Sequence, residues 1–257
     1  KYKGTGETIY PETTNAPINY GTYEVTASTE GNNNHNPASS TTSITIGKKV
    51  PQMNIIAENK SYDKLPLNAT AYIEPQHLDI KYSYEGVLKD GSLYDTSEQA
   101  PTEAGNYTVT ASTEGDQNYS PTSVSTNVEI MKTEVGIEMN NKSTPFNGAP
   151  VNIEPPVTEP TNLSLDITYI GIGETNYPES ATAPTYGGTY LVKASFDGNN
   201  NYFQAQAIAN LTITNAGMPT LALDNKIVSY NGKPQDIGDV RISPEYAEYL
   251  LVTYMYS

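Results

Sequence analysis

The sequence predicts an all-β chain: small immunoglobulin-like β-sandwich domains in a linear tandem array. Three observations predict it. A strand-like segment recurs at a fixed spacing, short alternating stretches are punctuated by turns throughout, and no stretch keeps a helical rhythm. The segment Gly21-Thr22-Tyr23-Glu24-Val25-Thr26-Ala27 returns as Gly105-Asn106-Tyr107-Thr108-Val109-Thr110-Ala111 and as Gly188-Thr189-Tyr190-Leu191-Val192-Lys193-Ala194. Tyr23, Tyr107 and Tyr190 lie 84 and 83 positions apart, and a fixed period of this size marks a repeat architecture. Within each copy Tyr, Val and Ala alternate with polar or longer residues, the period of a strand with one buried face. Ala16-Pro17, Ala100-Pro101 and Ala183-Pro184 precede the three glycines Gly21, Gly105 and Gly188, so a turn leads into each strand.

Residues 1–47 read as the C-terminal half of a repeat. They run from Tyr2-Lys3-Gly4 through the first copy of the segment and the loop Gly31-Asn32-Asn33-Asn34 to a last strand, Ser43-Ile44-Thr45-Ile46. Residues 48–131 form a complete repeat. Its expected strands include Met53-Asn54-Ile55, a stretch near Leu67 to Tyr72, and Asp79-Ile80-Lys81-Tyr82-Ser83-Tyr84-Glu85-Gly86, with a last strand at Asn127-Val128-Glu129-Ile130. A second complete repeat covers 132–215 and ends with Asn210-Leu211-Thr212-Ile213. Residues 216–257 read as the N-terminal half of another, with a strand at Leu251-Val252-Thr253-Tyr254-Met255-Tyr256. The turns at Tyr62, Phe146 and Tyr230 keep the same spacing, and Asn147-Gly148 and Asn231-Gly232 are tight-turn pairs because both residues tolerate positive φ. The best helical candidate is a single turn, Pro244-Glu245-Tyr246-Ala247-Glu248-Tyr249. About seven short strands per repeat with frequent turns favour a sandwich; a β-grasp unit is the alternative.

Composition narrows the function classes. With 14 Lys and Arg against 29 Asp and Glu, the net charge is −15, which argues against nucleic acid or an anionic membrane surface, since both require clustered cations. No apolar run approaches the roughly 20 residues needed to span a bilayer. There is no cysteine, and 21 Tyr stand against 3 Phe and no Trp. Tyrosine suits thin cores, burying its ring while its hydroxyl reaches the rim.

The recurring Gly-x-Tyr-x-Val-x-Ala looks like the tyrosine corner of immunoglobulin-like domains, in which a Tyr at the start of the penultimate strand bonds back to the preceding turn. The longer pattern resembles a family. Tyr2-x-Gly4-x-Gly6-x-Thr8-x-Tyr10, Ala16-Pro17, Gly21-Thr22-Tyr23 and Gly31-Asn32-x-Asn34, repeated as Tyr169-x-Gly171-x-Gly173-x-Thr175-x-Tyr177, Ala183-Pro184, Gly188-Thr189-Tyr190 and Gly198-Asn199-Asn200-Asn201-Tyr202, resemble the MBG-type and bacterial immunoglobulin-like repeats of large cell-surface proteins. The middle copy departs, with Tyr84 and Tyr94 ten residues apart and Lys89-Asp90-Gly91 in place of the second glycine. The resemblance implies a stalk, spacer or adhesive module on the outside of a bacterial cell, and carries over no catalytic residue.

Residue chemistry adds little to this. His35 and His77 are expected to be solvated loop histidines without a metal or triad partner. The loops Asp197-Gly198-Asn199-Asn200-Asn201 and Glu114-Gly115-Asp116-Gln117-Asn118 lack the spaced carboxylates of a calcium loop, so turn formation explains them. A Lys–Asn crosslink between first and last strands would use Lys49 with Asn127 or Asn210; Lys does not recur at equivalent places, which weighs against it. No enzyme and no cofactor are expected. The structural landmarks are Gly21, Tyr23, Gly105, Tyr107, Gly188 and Tyr190. The first functional expectation is a spacer whose partners are neighbouring repeats. A second is a module binding host glycan or protein through Tyr20, Tyr186 or Tyr202. A third is a fibre in which the half-repeats of successive copies complete one another.

Overall fold

The structure, a computed structural model, describes the whole chain except residues 216, 217, 219, 237, 239, 244–252 and 254–257. The described residues carry 18 strands and no helix. They divide into two compact units, one comprising Lys1–Thr133 with Asn200–Tyr202, the other Glu134–Asn199 with Phe203–Ser257.

The first unit opens with an antiparallel sheet in the order β1-β2-β3, made of β1 (Tyr2–Gly4), β2 (Gly21–Thr29) and β3 (Ala38–Ile46). It continues with β4 (Gln52–Ala57), β5 (Lys60–Ser61), β6 (Ala69–Glu74), β7 (Lys81–Leu88), β8 (Leu93–Ser97), β9 (Gly105–Thr113) and β10 (Thr122–Met131). These last seven strands form a β4-β6 pair and a five-stranded sheet, β5-β10-β9-β7-β8. β9 buries every second residue, from Gly105 through Tyr107, Val109 and Ala111 to Thr113, and β4 lies against β9 and β10 without pairing to either. Ile55 of β4 therefore shares one core with Tyr84, Tyr107, Val109, Val128 and Ile130. Two sheets closing on a common core make a β-sandwich. Beside β2, where no second sheet stands among the described residues, Ile44 is 45% exposed, whereas its counterpart Val128 is buried.

In the second unit β11 (Gly136–Glu138) pairs with β13 (Val157–Glu159), facing a sheet in the order β12-β16-β15-β14. Those strands are β12 (Lys142–Pro145), β14 (Asp166–Ile172), β15 (Gly188–Phe196) and β16 (Ala205–Thr214). Their core joins Val151 and Ile153 to Tyr169, Tyr190, Val192 and Leu211. β17 (Thr220–Ala222) and β18 (Arg241–Ser243) pair antiparallel. Both sandwiches run β5 or β12 parallel to the last strand and the recurring strand antiparallel to it.

Several strand limits differ from the sequence expectation. β3 begins five residues earlier than Ser43, because Ser39, Ser40, Thr41 and Thr42 form an exposed polar ladder opposite β2 and leave no apolar trace. The strand expected near Leu67 starts at Ala69, since the Leu67 N–H instead donates to the Pro101 carbonyl at 2.8 Å. The sequence reading places no strand over residues 151–156, and none forms there: Pro150, Pro155 and Pro156 remove ladder donors, and the Val151 N–H donates to the Pro184 carbonyl at 2.9 Å, as Leu67 does to Pro101. The strand expected at 251–256 and the helical turn at 244–249 lie outside the described residues.

Candidate functional site

The landmark residues build the same small assembly three times. Tyr23, Tyr107 and Tyr190 are each 2% exposed, and each donates its hydroxyl at 2.7 Å to a backbone carbonyl four residues back: Asn19, Glu103 and Tyr186 respectively. A second tyrosine meets each ring edge to face, Tyr10, Tyr94 and Tyr177, with centroids 5.4, 5.6 and 5.5 Å apart, a favoured aromatic geometry. Those partners tie down their own turns by donating to the carbonyls of Asn15, Gln99 and Thr182. Gly4, Gly86 and Gly171 lie directly across the sheet from the three corner tyrosines. Gly21, Gly105 and Gly188 begin the strands beneath the returning rings; a Cβ on Gly105 would stand 2.8 Å from the Tyr107 hydroxyl. The six landmarks thus build three corners on one plan, each holding one of the glycines and one of the tyrosines.

Burial is the largest influence on the Tyr107 and Tyr190 phenols. It pushes the Tyr107 hydroxyl up to about 12, with the Glu103 carboxylate and then Tyr94 adding to the rise. Tyr190 moves the same way, through burial first and Tyr177 second. A phenol held neutral in this way donates a hydrogen bond and has no reactive ionised form near neutral pH.

Where the middle copy departs, β7 and β8 make a hairpin closed by the Leu88 N–H on the Ser92 carbonyl, 2.9 Å. In the other two copies a threonine hydroxyl takes the strand N–H instead, Thr8 from Thr22 and Thr175 from Thr189, both at 2.9 Å. The middle copy replaces this with the Lys89 N–H on the Ala104 carbonyl and a Lys89–Glu129 ion pair of 2.6 Å.

A second recurring assembly lies inside the first unit. The loop after β9 turns on Gly115, whose φ is +72° and whose position leaves no room for a Cβ, the Tyr119 carbonyl being 2.3 Å away. Asp116 Oδ1 accepts the N–H groups of Asn118 and Tyr119, so the Asn118 side chain points outward. It reaches the first corner: Oδ1 accepts the Tyr20 N–H at 2.8 Å and Nδ2 donates to Asn19 Oδ1 at 3.2 Å. Asn201, 83 positions later, meets the next corner identically. Its Oδ1 accepts the Ala104 N–H at 2.9 Å and its Nδ2 donates to the Glu103 carboxylate. A linker residue runs alongside in both cases, the N–H groups of Lys49 and Thr133 donating to the carbonyls of Asn118 and Asn201 at 2.9 Å.

The tyrosines considered for ligand contact divide. Tyr202 is 9% exposed and packs edge to face on Tyr62 at 5.3 Å, so it belongs to the interior. Tyr20 and Tyr186 are exposed, and Lys48 Nζ lies 5.5 Å above the Tyr20 ring. A cavity of about 680 Å³ opens beside the first corner, between Tyr10, Tyr20 and Tyr23, with Gln117 at its edge. His35 lies in its loop with Nδ1 3.2 Å from Asn32 Oδ1. His77 does have a partner the sequence did not flag, Asp116 Oδ2 at 3.0 Å. This bond, followed by those from the loop N–H groups, holds the Asp116 carboxyl below its usual range. Asp116 therefore spends one oxygen on the turn and the other on His77. Asn127 accepts from the Thr108 hydroxyl on the neighbouring strand, while Lys49 lies beside Tyr119, so these two do not meet. Among the described residues no three His, Cys, Asp or Glu gather as a metal group, and no helix is long and apolar enough to cross a membrane.

Tyrosine-cornered β-sandwich modules in tandem are the class of protein these features define. The chain belongs to the MBG domain family, whose model matches residues 54–134 and again 136–217. No curated protein matches the chain in sequence. Among solved structures it is similar to Drosophila N-cadherin EC1-3, with 11% identity over 79% of this chain and 80% of that one and a TM-score of 0.25. It is similar also to Drosophila N-cadherin EC1-4, at 12% identity, 78% and 60% coverage and a TM-score of 0.24. Protocadherin gamma B2 extracellular cadherin domains 3-6 match at 12% identity, 77% and 61% coverage and a TM-score of 0.23. The chain spans about three fifths of the length of the last two.

Proposed function

We propose that this chain is a non-catalytic spacer segment of an extracellular bacterial surface protein, a stalk that holds an adhesive region away from the cell. The observation that carries this reading is the repetition of one corner, with the same hydroxyl bond and the same edge-to-face partner, at Tyr23, Tyr107 and Tyr190. Residues under selection for chemistry differ between sites of different duty, whereas here every copy keeps the same architectural residues and varies in hairpins and exposed positions. The polar, acidic surface, with a net charge of −15, suits a segment that stays solvated and does not self-adhere indiscriminately.

The reading is tested by display on a cell surface. An adhesive head of known ligand is carried either on this chain or directly on the anchor, and the ligand is placed beneath a polymer layer. Adhesion that requires the chain supports a spacer. Equal adhesion without it refutes the spacer role, and binding of host cells or glycans by the headless chain assigns the function to the module itself.

A further inference from the structure

The middle copy departs from the other two at three positions that come together in space. Where those copies pair Thr22 with Thr45 and Thr189 with Thr212 across the sheet, the middle one pairs Asn106 with Glu129. It also places Lys89 in the adjoining hairpin, with Nζ 2.6 Å from Glu129 Oε1 and 3.2 Å from Asn106 Oδ1. An ion pair needs only the lysine and the acid; the amide is a third member. We propose that Lys89 and Asn106 form an intramolecular isopeptide crosslink, with Glu129 moving the protons.

The backbone holds all three residues in place. Asn106 and Glu129 are direct partners on β9 and β10, the Glu129 N–H donates to Asn59 Oδ1 at 2.8 Å, and the Lys89 N–H donates to the Ala104 carbonyl at 3.0 Å. The Lys89 side chain is 22% exposed and that of Glu129 38%, so the amine is largely withdrawn from water. Nucleophile, amide and carboxyl thus meet before any reaction, which replaces a chance encounter with an intramolecular one. Glu129 takes one proton from the Lys89 ammonium and leaves an amine free to attack. A bond forms between Nζ and Asn106 Cγ, the Cγ–Nδ2 bond breaks, and Glu129 returns its proton to Nδ2, which leaves as ammonia. That ammonia takes up the second proton shed by Nζ, so an ammonium ion departs and Glu129 ends as the carboxylate it began. Neither oxidant nor cofactor is consumed. The crosslink ties the β7–β8 hairpin to β9 and closes a covalent loop containing Tyr94, Glu103 and Ala104, which fixes the corner that receives Asn201. It is distinct from the Lys49–Asn127 pairing, whose members the fold keeps apart, and it goes beyond the spacer reading without depending on it.

Intact mass spectrometry on the full chain tests it. The expected mass is lower than that of the sequence by one ammonia, and Lys89→Arg, whose guanidinium stays charged and does not attack, should recover the full mass. Loss of ammonia also accompanies succinimide formation at a site such as Asn147-Gly148, so a tryptic map decides between the two. A branched peptide joining Lys89 to Asn106, uncut after Lys89, is expected from the parent and absent from Lys89→Arg. Glu129→Gln, which keeps the shape but not the base, should leave most of the chain unlinked. A parent of full mass after prolonged warming, or one that loses ammonia without giving the branched peptide, overturns the proposal. A crosslink that forms as fast in Glu129→Gln overturns the role given to Glu129.

Discussion

Gly86 lies directly across the sheet from Tyr107, and the corner ring occupies the space a side chain at Gly86 would need. A Cβ there would stand 2.3 Å from the Asn106 carbonyl oxygen and 2.7 Å from Tyr107 Cδ1. The first is a backbone atom and the second belongs to the buried Tyr107 ring, so neither moves aside cheaply, and Gly86→Ala should destabilise by about 1–3 kcal/mol, the usual cost of overpacking. Gly47, with open space around it, is the control: Gly47→Ala should stay within about 0.5 kcal/mol. Urea midpoints of the two variants give the comparison, and equal midpoints would remove the steric account.

The Tyr107 hydroxyl closes the corner onto the Glu103 carbonyl at 2.7 Å. Tyr107→Phe keeps the ring and its contact with Tyr94 but loses this bond, so a loss of about 1 kcal/mol is expected. The same change at exposed Tyr230 should be neutral. A Tyr107→Phe variant as stable as the parent would show that ring packing alone holds the turn.

Stability should fall in alkali. The folded Tyr107 phenol ionises only at about 12, against about 10 in an unfolded chain. Below pH 10 both states hold the proton and the corner contributes in full; between pH 10 and 12 only the unfolded state releases it, which favours unfolding. Tyr190, raised in the same sense by burial, adds to the fall. Denaturant titrations from pH 9 to 12 should show the loss, with a shallower slope in Tyr107→Phe. An identical slope in that variant would place the alkaline sensitivity elsewhere.

The two asparagine contacts can be separated by amide exchange. Asn118→Ala removes the acceptor for the Tyr20 N–H and leaves that of Ala104, while Asn201→Ala does the reverse. Exchange at Tyr20 should rise about tenfold in the first variant and at Ala104 in the second, each opening locally without global unfolding. Cross-effects at the distant corner would mean the contacts are not independent.

Much of this architecture is legible in the sequence because repetition supplies an internal alignment. Tyr23, Tyr107 and Tyr190 recur with their glycines, and alternation around Val109 and Ala111 marks a strand with one buried face. The exposed Ser and Thr ladder of β3 is not legible, since it has no apolar alternation to mark a buried face. Asn118 and Asn201 were visible only as turn formers. Their recurrence at the loop period was the available signal, but turn chemistry alone accounts for an asparagine in a Gly-led loop, and only the fold shows the amide turned outward to a corner about 97 or 98 residues earlier in the chain. Tyr202 looked like Tyr20 and Tyr186 in sequence, and its contact with Tyr62 across 140 residues buries it.

The linker bonds of Lys49 and Thr133 carry a genetic consequence. Each junction uses a backbone N–H, an asparagine and a corner amide that every module already possesses. Unequal recombination that inserts or deletes one whole period recreates the same junction on either side of the crossover. Such a gene can therefore lengthen or shorten its product in steps of one module, and reach becomes a trait that drifts or adapts without any new surface having to evolve.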